Sequence, residues 1–250
     1  MRVVDAGLLK HLSERSARYR DPLSEIDWTA LDTQSAWLPE DALSLYGLPG
    51  YDALTATVRR RLSQYEFVNV ICCGLWLESV FLQRLARELH PAMARAEYQY
   101  VLHQLREESG HSLMFLKAIE ASGLPLPEDA WRCPWLTGAI ARWAPVKGDL
   151  FWLAMVIGEH VPDTYNRWLR RQQPLHPVVG QICTVHVVDE ARHIAYARSS
   201  FGGTRCLRGA VRTSVLGAAA RVLLAQLAGM FYFPPARFYE LAGLSDGAAW

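Results

Sequence analysis

The stretch His186-Val187-Val188-Asp189-Glu190-Ala191-Arg192-His193 carries three metal-ligating side chains at helical spacing. On an α-helix successive residues advance about 100°, so Glu190 and His193 lie within about 60° of each other, and His186 falls about 40° from Glu190. One helix face can therefore offer all three. Earlier in the chain, Glu107-Glu108-Ser109-Gly110-His111 repeats the E-x-x-H spacing, and Glu78 and Glu159 stand thirty and thirty-one residues before Glu108 and Glu190. Each half of the central region thus reads as a helix with one Glu, followed by a helix with E-x-x-H, an internal repeat of two helical hairpins. Two helices giving one Glu each and two giving an E-x-x-H pair is the ligand pattern of a dinuclear iron site inside a four-helix bundle.

The neighbours of the lone carboxylates strengthen this reading. Glu78 follows Ile71-Cys72-Cys73-Gly74-Leu75-Trp76-Leu77, and Glu159 follows Phe151-Trp152-Leu153-Ala154-Met155-Val156-Ile157-Gly158. A carboxylate ionised in such surroundings costs several kcal/mol unless it is paired or binds a metal, and no Lys or Arg stands one turn away from either residue. Four Glu balance two divalent cations, and mixed Glu and His ligation suits iron first and manganese second. The absence of ligating Cys argues against a structural zinc site. Glu107 and Asp189, each just before its motif's Glu, are placed to orient a ligand imidazole across the bundle. Phe81 and Met155, one turn from Glu78 and Glu159, are candidates for lining a substrate pocket. His103 and His160 project away from the ligand faces, and His11, His90 and His176 sit near segment ends, where exposure or capping is expected. Gly110, inside the first E-x-x-H, allows a close approach or serves packing.

The rest of the chain is read around this core. Breakers at Pro91, Gly123–Pro127, Pro145–Gly148, Pro174–Pro177, Gly202–Gly203 and Pro234–Pro235 separate long helical segments over 51–90 (one helix or two), 92–122, 149–171, 177–201 and 205–230. Shorter helices are expected over 3–20 and 39–46, and a kink at Pro162. No alternating strand pattern occurs, so the predicted class is all-α, with one domain over 1–250 and a metal-binding core at about 51–201. A net charge of +1 with dispersed basic residues gives no reason to expect nucleic acid. Cys72, Cys73, Cys133, Cys183 and Cys206 form no disulfide or zinc spacing and are expected as free thiols in a reducing cytoplasm. Residues 1–20 lack a signal peptide's apolar block. The apolar tract Val215–Phe233, broken by Arg221 and Gln226, is expected to be a core helix and not a membrane span. The Trp and Tyr residues show no spacing that marks a radical-transfer chain.

Glu78, the Glu107–His111 block, Glu159 and the His186–His193 stretch together resemble the non-haem di-iron N-oxygenases typified by p-aminobenzoate N-oxygenase (AurF-like), over roughly residues 50–201. The resemblance implies a ferritin-like four-helix bundle core with additional N-terminal and C-terminal helices. It also implies Glu78, Glu108, His111, Glu159, Glu190 and His193 as shared ligands of two iron ions (Fe2+/Fe3+), with His186 as the added histidine that separates this family from ordinary ferritin-like di-iron proteins. Such an enzyme takes O2 as co-substrate and oxidises an amine nitrogen to a hydroxylamine, nitroso or nitro product, in specialised-metabolite biosynthesis. The block here departs from the family's Asp-Glu by reading Glu107-Glu108. Val70–Leu77 also hold no cation for an aminobenzoate carboxylate, which points to a less charged arylamine, an alkyl amine or a carrier-bound substrate. No ferredoxin-type Cys cluster and no G-x-G-x-x-G occurs, so electrons are expected from a separate ferredoxin or reductase, or from peroxide. A homodimer is expected, with no nucleic-acid or membrane partner. C-hydroxylation, desaturation or C–C cleavage at the same irons, a ferroxidase or iron-storage role, and a metal-free bundle are the competing readings.

Overall fold

The computed structural model describes residues 4–126, 130, 138–139, 143–144, 148–201 and 209–245; Cys133, Cys206 and the Gly202–Gly203 break fall outside them. Four long helices, α3 (Ala56–Ala86), α4 (Arg95–Ser122), α5 (Asp149–Leu169) and α6 (Pro177–Ser200), pack as two hairpins, α3 with α4 and α5 with α6. Before them come α1 (Ala6–Ser16), which lies on α4, and a single turn α2 (Pro22–Glu25); after them come α7 (Gly209–Tyr232) along α5 and α8 (Ala236–Ala242) against α3. No strand occurs among the described residues. This is the all-α, ferritin-like bundle with added terminal helices that the sequence predicts.

Local chemistry sets the helix ends. Thr55 opens α3, its Oγ1 accepting from the Val58 amide at 3.3 Å, so the segment expected from residue 51 begins later and runs as one helix. Gly123 closes α4 at φ +60°, a left-handed conformation that a side chain would strain. At the start of α6, Pro177 occupies the first turn and His176 Nδ1 accepts from the Val178 amide at 3.3 Å, which is the capping role expected of that histidine. The N-terminal helix stops at Ser16, short of residue 20, and Asp21 then caps the Pro22 turn. Instead of a helix over 39–46 there is a 3-10 turn at Glu40–Ala42. Pro162 sits inside α5 and removes the amide that the Gly158 carbonyl would otherwise receive.

Two helices are long and apolar enough to cross a membrane by length and composition. One is α3, a ligand-bearing helix of the bundle, with 72% of its most apolar window buried. The second corrects an expectation: only 17% of the corresponding window, in α7, is buried. Leu223, Leu227 and Phe231, spaced four apart, form a single inward stripe, while Val215, Val222 and Leu224 face outward. Apart from Arg221 and Gln226 the tract is apolar, but only one of its faces meets the bundle. Its last turn is fixed firmly: Asn69 Nδ2 donates to the Met230 and Phe231 carbonyls (3.0 and 3.3 Å), Cys73 Sγ to Met230 at 3.3 Å, and the Tyr232 hydroxyl to the Val161 carbonyl at 3.3 Å.

The loop between α2 and α3 is held by a buried acid. Glu66 on α3 accepts from the Ser44 amide (2.9 Å) and hydroxyl (2.7 Å), and that hydroxyl also meets Tyr239 of α8 at 2.8 Å. Burial pushes Glu66 up to about 7, against the downward pull of the Ser44 hydrogen bonds. Because the folded value exceeds the unfolded one, this group's stabilising contribution is complete below the unfolded value and is lost as pH rises through about 7. Urea denaturation is expected to show the native chain losing on the order of 2–3 kcal/mol relative to Glu66→Gln between about pH 5 and pH 8; parallel pH profiles would contradict this.

Candidate metal centre

The four bundle helices deliver all seven predicted ligands to one buried locus. Glu78 comes from α3, Glu108 and His111 from α4, Glu159 from α5, and His186, Glu190 and His193 from α6. Each is at most 4% exposed. Their ligating atoms fall into two groups, within each of which all lie within 4.8 Å of one another: Glu78, His111, His186 and Glu190, and Glu108, Glu159 and His193. Across the locus His111 Nδ1 stands 3.5 Å from Glu78 Oε1, 3.4 Å from Glu108 Oε2 and 3.5 Å from Glu190 Oε1. His193 Nδ1 stands 3.2 Å from Glu108 Oε1 and 3.3 Å from Glu190 Oε2.

Seven of the converging atoms lack hydrogen-bond partners. Glu78 Oε2, Glu108 Oε2, Glu159 Oε1, both oxygens of Glu190, and Nδ1 of His111 and of His193 are buried without one. Buried polar atoms are normally satisfied, and an unsatisfied set that consists of acceptors facing acceptors is chemically suited to a cation. The donor set of carboxylates and imidazoles without thiolate fits two divalent ions of the iron or manganese type. Electrostatics agree with this crowding. Burial, with the Glu190 carboxylate next, pushes Glu159 well above the usual carboxylate range, and burial pushes Glu108 up to about 8. Burial opposes ionisation of Glu78 as well, but the neighbouring His111 and His186 imidazoles draw it down to about 2. Protons and metal ions compete for such sites.

The far nitrogens of the imidazoles show how the rings are held. His111 Nε2 meets Asp189 Oδ2 at 3.2 Å, and His193 Nε2 meets Glu107 Oε2 at 2.9 Å. Each acid thus reaches the histidine of the other motif, the cross-bundle contact expected of Glu107 and Asp189. A proton kept on Nε2 leaves the Nδ1 lone pair aimed into the locus. His186 is turned the other way: Nε2 faces Glu78 Oε1 (3.3 Å) and Glu190 Oε1 (3.4 Å), and Nδ1 faces Asn166 of α5 at 3.2 Å.

Several residues here escape sequence reading. Arg192 Nη2 bridges Glu107 Oε1 (2.9 Å) and Asp189 Oδ1, while its Nε donates to Ser16 Oγ of α1 at 3.0 Å. It stands one residue before its motif's His; the corresponding position of the first motif is Gly110, where a Cβ would collide with the Tyr19 hydroxyl. Gly110 therefore serves the close approach of the N-terminal segment, and one guanidinium serves both acids. Gln104 Nε2 donates to Glu108 Oε1 at 3.1 Å. An Arg two residues after a buried Glu was the available signal for Arg192; nothing local marks Asn166 or Tyr19.

A narrow cavity of about 20 Å³ adjoins Glu78, Glu159 and His186, walled by Phe67, Val70, Ile71, Gly74, Phe115 and Phe231 among others. Phe81 and Met155 do not border it. They line a separate apolar space between α3, α5 and α7 with Trp76, Val80, Leu223 and Leu227. Phe81 there packs against Gly158, where an added Cβ would approach the ring to 3.0 Å. His160 contacts Arg198 at 2.6 Å, and His103 is half-buried on α4; neither joins the ligand groups. Cys72, Cys73 and Cys183 are free and buried.

Glu107→Gln and Asp189→Asn are each expected to lower affinity for divalent iron about 10–100-fold at unchanged helix content, measured by anaerobic calorimetric titration and circular dichroism. Arg192→Leu leaves two buried carboxylates facing each other and is expected to cost about 3–5 kcal/mol in denaturant unfolding; a change below about 1 kcal/mol would show the bridge to be incidental.

Comparison with known proteins follows the same line. The chain is 28% identical, over 198 residues, to an uncharacterised protein of Mycobacterium bovis and to uncharacterised proteins from two strains of Mycobacterium tuberculosis. The match takes in 76% of this chain and 58% of each relative, so the chain spans little more than half the length of these curated relatives. The model of the family described as p-aminobenzoate N-oxygenase AurF matches residues 4–249, nearly the whole chain. With four ligand-bearing helices and a buried Glu/His cluster already in place, the chain belongs to the AurF family.

Proposed function

We propose that this chain is a non-haem di-iron monooxygenase that transfers oxygen from O2 to the nitrogen of a small-molecule amine, giving a hydroxylamine, nitroso or nitro product. The observation that carries this reading is the pair of buried ligand groups whose facing acceptors have no hydrogen-bond partners, in a chain of the AurF family. Glu78, His111, His186 and Glu190 would hold one iron, and Glu108, Glu159 and His193 the other. Bound iron supplies the electrons and the Lewis acidity that O2 activation requires.

The chain's own groups do the rest. Asp189 and Glu107 keep the His111 and His193 rings oriented with Nδ1 inward. In the structure the Asn166 side-chain nitrogen faces His186 Nδ1 at 3.2 Å and its oxygen accepts from Cys183 Sγ at 3.5 Å; turning that amide over would let His186 keep its proton on Nδ1 and offer Nε2 to the iron. The apolar wall of the cavity excludes bulk water from the ligands on that side. Its present size admits a water or O2, so an amine enters by displacing side chains, with Phe115 on α4 and Phe231 on α7 as flanking walls. Among the described residues no Lys or Arg lines this cavity. That favours an uncharged amine, an arylamine without a carboxylate or an alkyl amine, over an aminobenzoate.

We read the chain as one domain that acts as a homodimer in the cytoplasm within specialised-metabolite biosynthesis, taking electrons from a separate ferredoxin or reductase or from peroxide. The free buried thiols support a reducing compartment, and self-association would cover the outward apolar face of α7. The test is anaerobic loading with ferrous iron, then isotopically labelled dioxygen with a panel of neutral amines. Two irons per chain, amine-dependent O2 uptake and label in an N–O product are expected. Label on carbon would replace the proposal with C-oxidation, and a many-subunit assembly that accumulates ferric iron without oxidising any amine would replace it with iron storage.

A further inference from the structure

An aromatic cluster lies at one end of the metal locus, built by three of the four ligand helices. Tyr100 stands two turns before Glu108 on α4, Trp152 two turns before Glu159 on α5, and Tyr196 one turn after His193 on α6. All three are at most 2% exposed. The Tyr196 ring lies 4.8 Å from Tyr100 and 5.5 Å from Trp152, centroid to centroid, the latter edge to face. About 4.5 Å of helix rise separates Tyr196 from His193, a short span for electron tunnelling.

What distinguishes the two tyrosines is the fate of the phenolic proton. Tyr196 donates its hydroxyl hydrogen bond to Glu97 Oε1 at 3.0 Å, and Glu97 is half-buried near the start of α4, at the solvent side of the cluster. The Tyr100 hydroxyl is fully buried and has no hydrogen-bond partner. Burial, with the Glu107 carboxylate next, holds its proton far more tightly than an ordinary phenol does. One-electron oxidation of a phenol is favourable only if its proton has an acceptor, since the radical cation is a strong acid. Tyr196 has that acceptor, and Tyr100 lacks one.

We propose that Tyr196 is a one-electron relay between the buried metal pair and the protein surface, with Glu97 as its proton acceptor; this rests on the di-iron reading above and goes beyond it. With no amine bound, reduction of O2 to two waters takes four electrons and four solvent protons; two ferrous ions held by the seven ligands would give two electrons, an external one-electron donor (excess ferrous iron among them) a third, and Tyr196 the fourth. Its O–H bond breaks, the proton forms an O–H bond on the Glu97 carboxylate, and a neutral tyrosyl radical remains. An external one-electron reductant of the ascorbate or flavin class then returns an electron while Glu97 returns the proton. Oxidising equivalents thereby leave without attacking the ligand side chains.

The experiment is freeze-quench electron paramagnetic resonance on anaerobically iron-loaded chain mixed with O2 in the absence of amine, with iron content and iron oxidation measured on the same samples. The native chain should give a tyrosyl radical signal. Tyr196→Phe keeps the ring stack and should retain iron but lose the signal. Glu97→Gln removes the proton acceptor and should cut the radical yield at least several-fold, and Tyr100→Phe should leave the radical in place. Iron that is bound and oxidised without any tyrosyl signal, or a signal that survives Tyr196→Phe, overturns the relay alone. A native chain that takes up no iron overturns the metal reading and the relay with it.

Discussion

Four carboxylates and three imidazoles, brought within a few ångströms of each other in an interior that buries no lysine among the described residues, are the constraint on which the rest of the structure depends. Such a cluster is tolerable only if counter-charge enters it or protons remain in it, and every surrounding element bears on that balance. Glu78 of α3 and Glu159 of α5 each stand in an otherwise apolar stretch, so their carboxylates have nowhere else to go. α4 and α6 supply the histidines and, one residue before each ligand Glu, an acid that reaches across to the opposite ring. The positive charge of Arg192 lies outside the ligand shell, where it offsets Glu107 and Asp189 without competing for the ligands themselves.

This arrangement gives the two hairpins different tasks despite their matched spacing. The second E-x-x-H carries an Arg where the first carries Gly110, and the first is completed by Tyr19 from outside the repeat. Arg106 also lies over the Tyr19 ring, 4.6 Å from its centroid. The N-terminal segment, which contributes no ligand, is thus part of the casing of the site: Ser16 receives Arg192, and Tyr19 fills the space above Gly110.

The seven ligand candidates were legible because helical periodicity fixes the azimuth of each side chain and a lone Glu in an apolar run is too costly to bury without a counter-charge. The long helices followed from breakers and periodicity, with ends displaced by a few residues where a cap such as Thr55 intervened, whereas the short helix expected over 39–46 is replaced by the turn Glu40–Ala42. Contacts that lie outside the repeated motif were not legible. Nothing near Gly110 announces Tyr19, nothing near His186 announces Asn166, and three aromatics from three helices meet only after the bundle has formed. α7 shows the limit of hydropathy most clearly, since an apolar tract does not reveal how many of its faces find a neighbour.

α7 is held at both ends: near its start Arg212 Nε donates to Asp149 Oδ2 of α5 at 2.8 Å, and its last turn is tethered to α3 and α5. Helix C-termini leave carbonyls without intrahelical partners, and here Asn69 and Cys73 of α3 take up those of Met230 and Phe231, while Tyr232 reaches α5 beside Pro162. Because Phe231 of this anchored turn walls the cavity, the same hydrogen bonds fix how closely α7 stands to the ligand locus. The width of the space beside Glu78 and Glu159 is thereby coupled to α3 and α5, the two helices that supply those carboxylates.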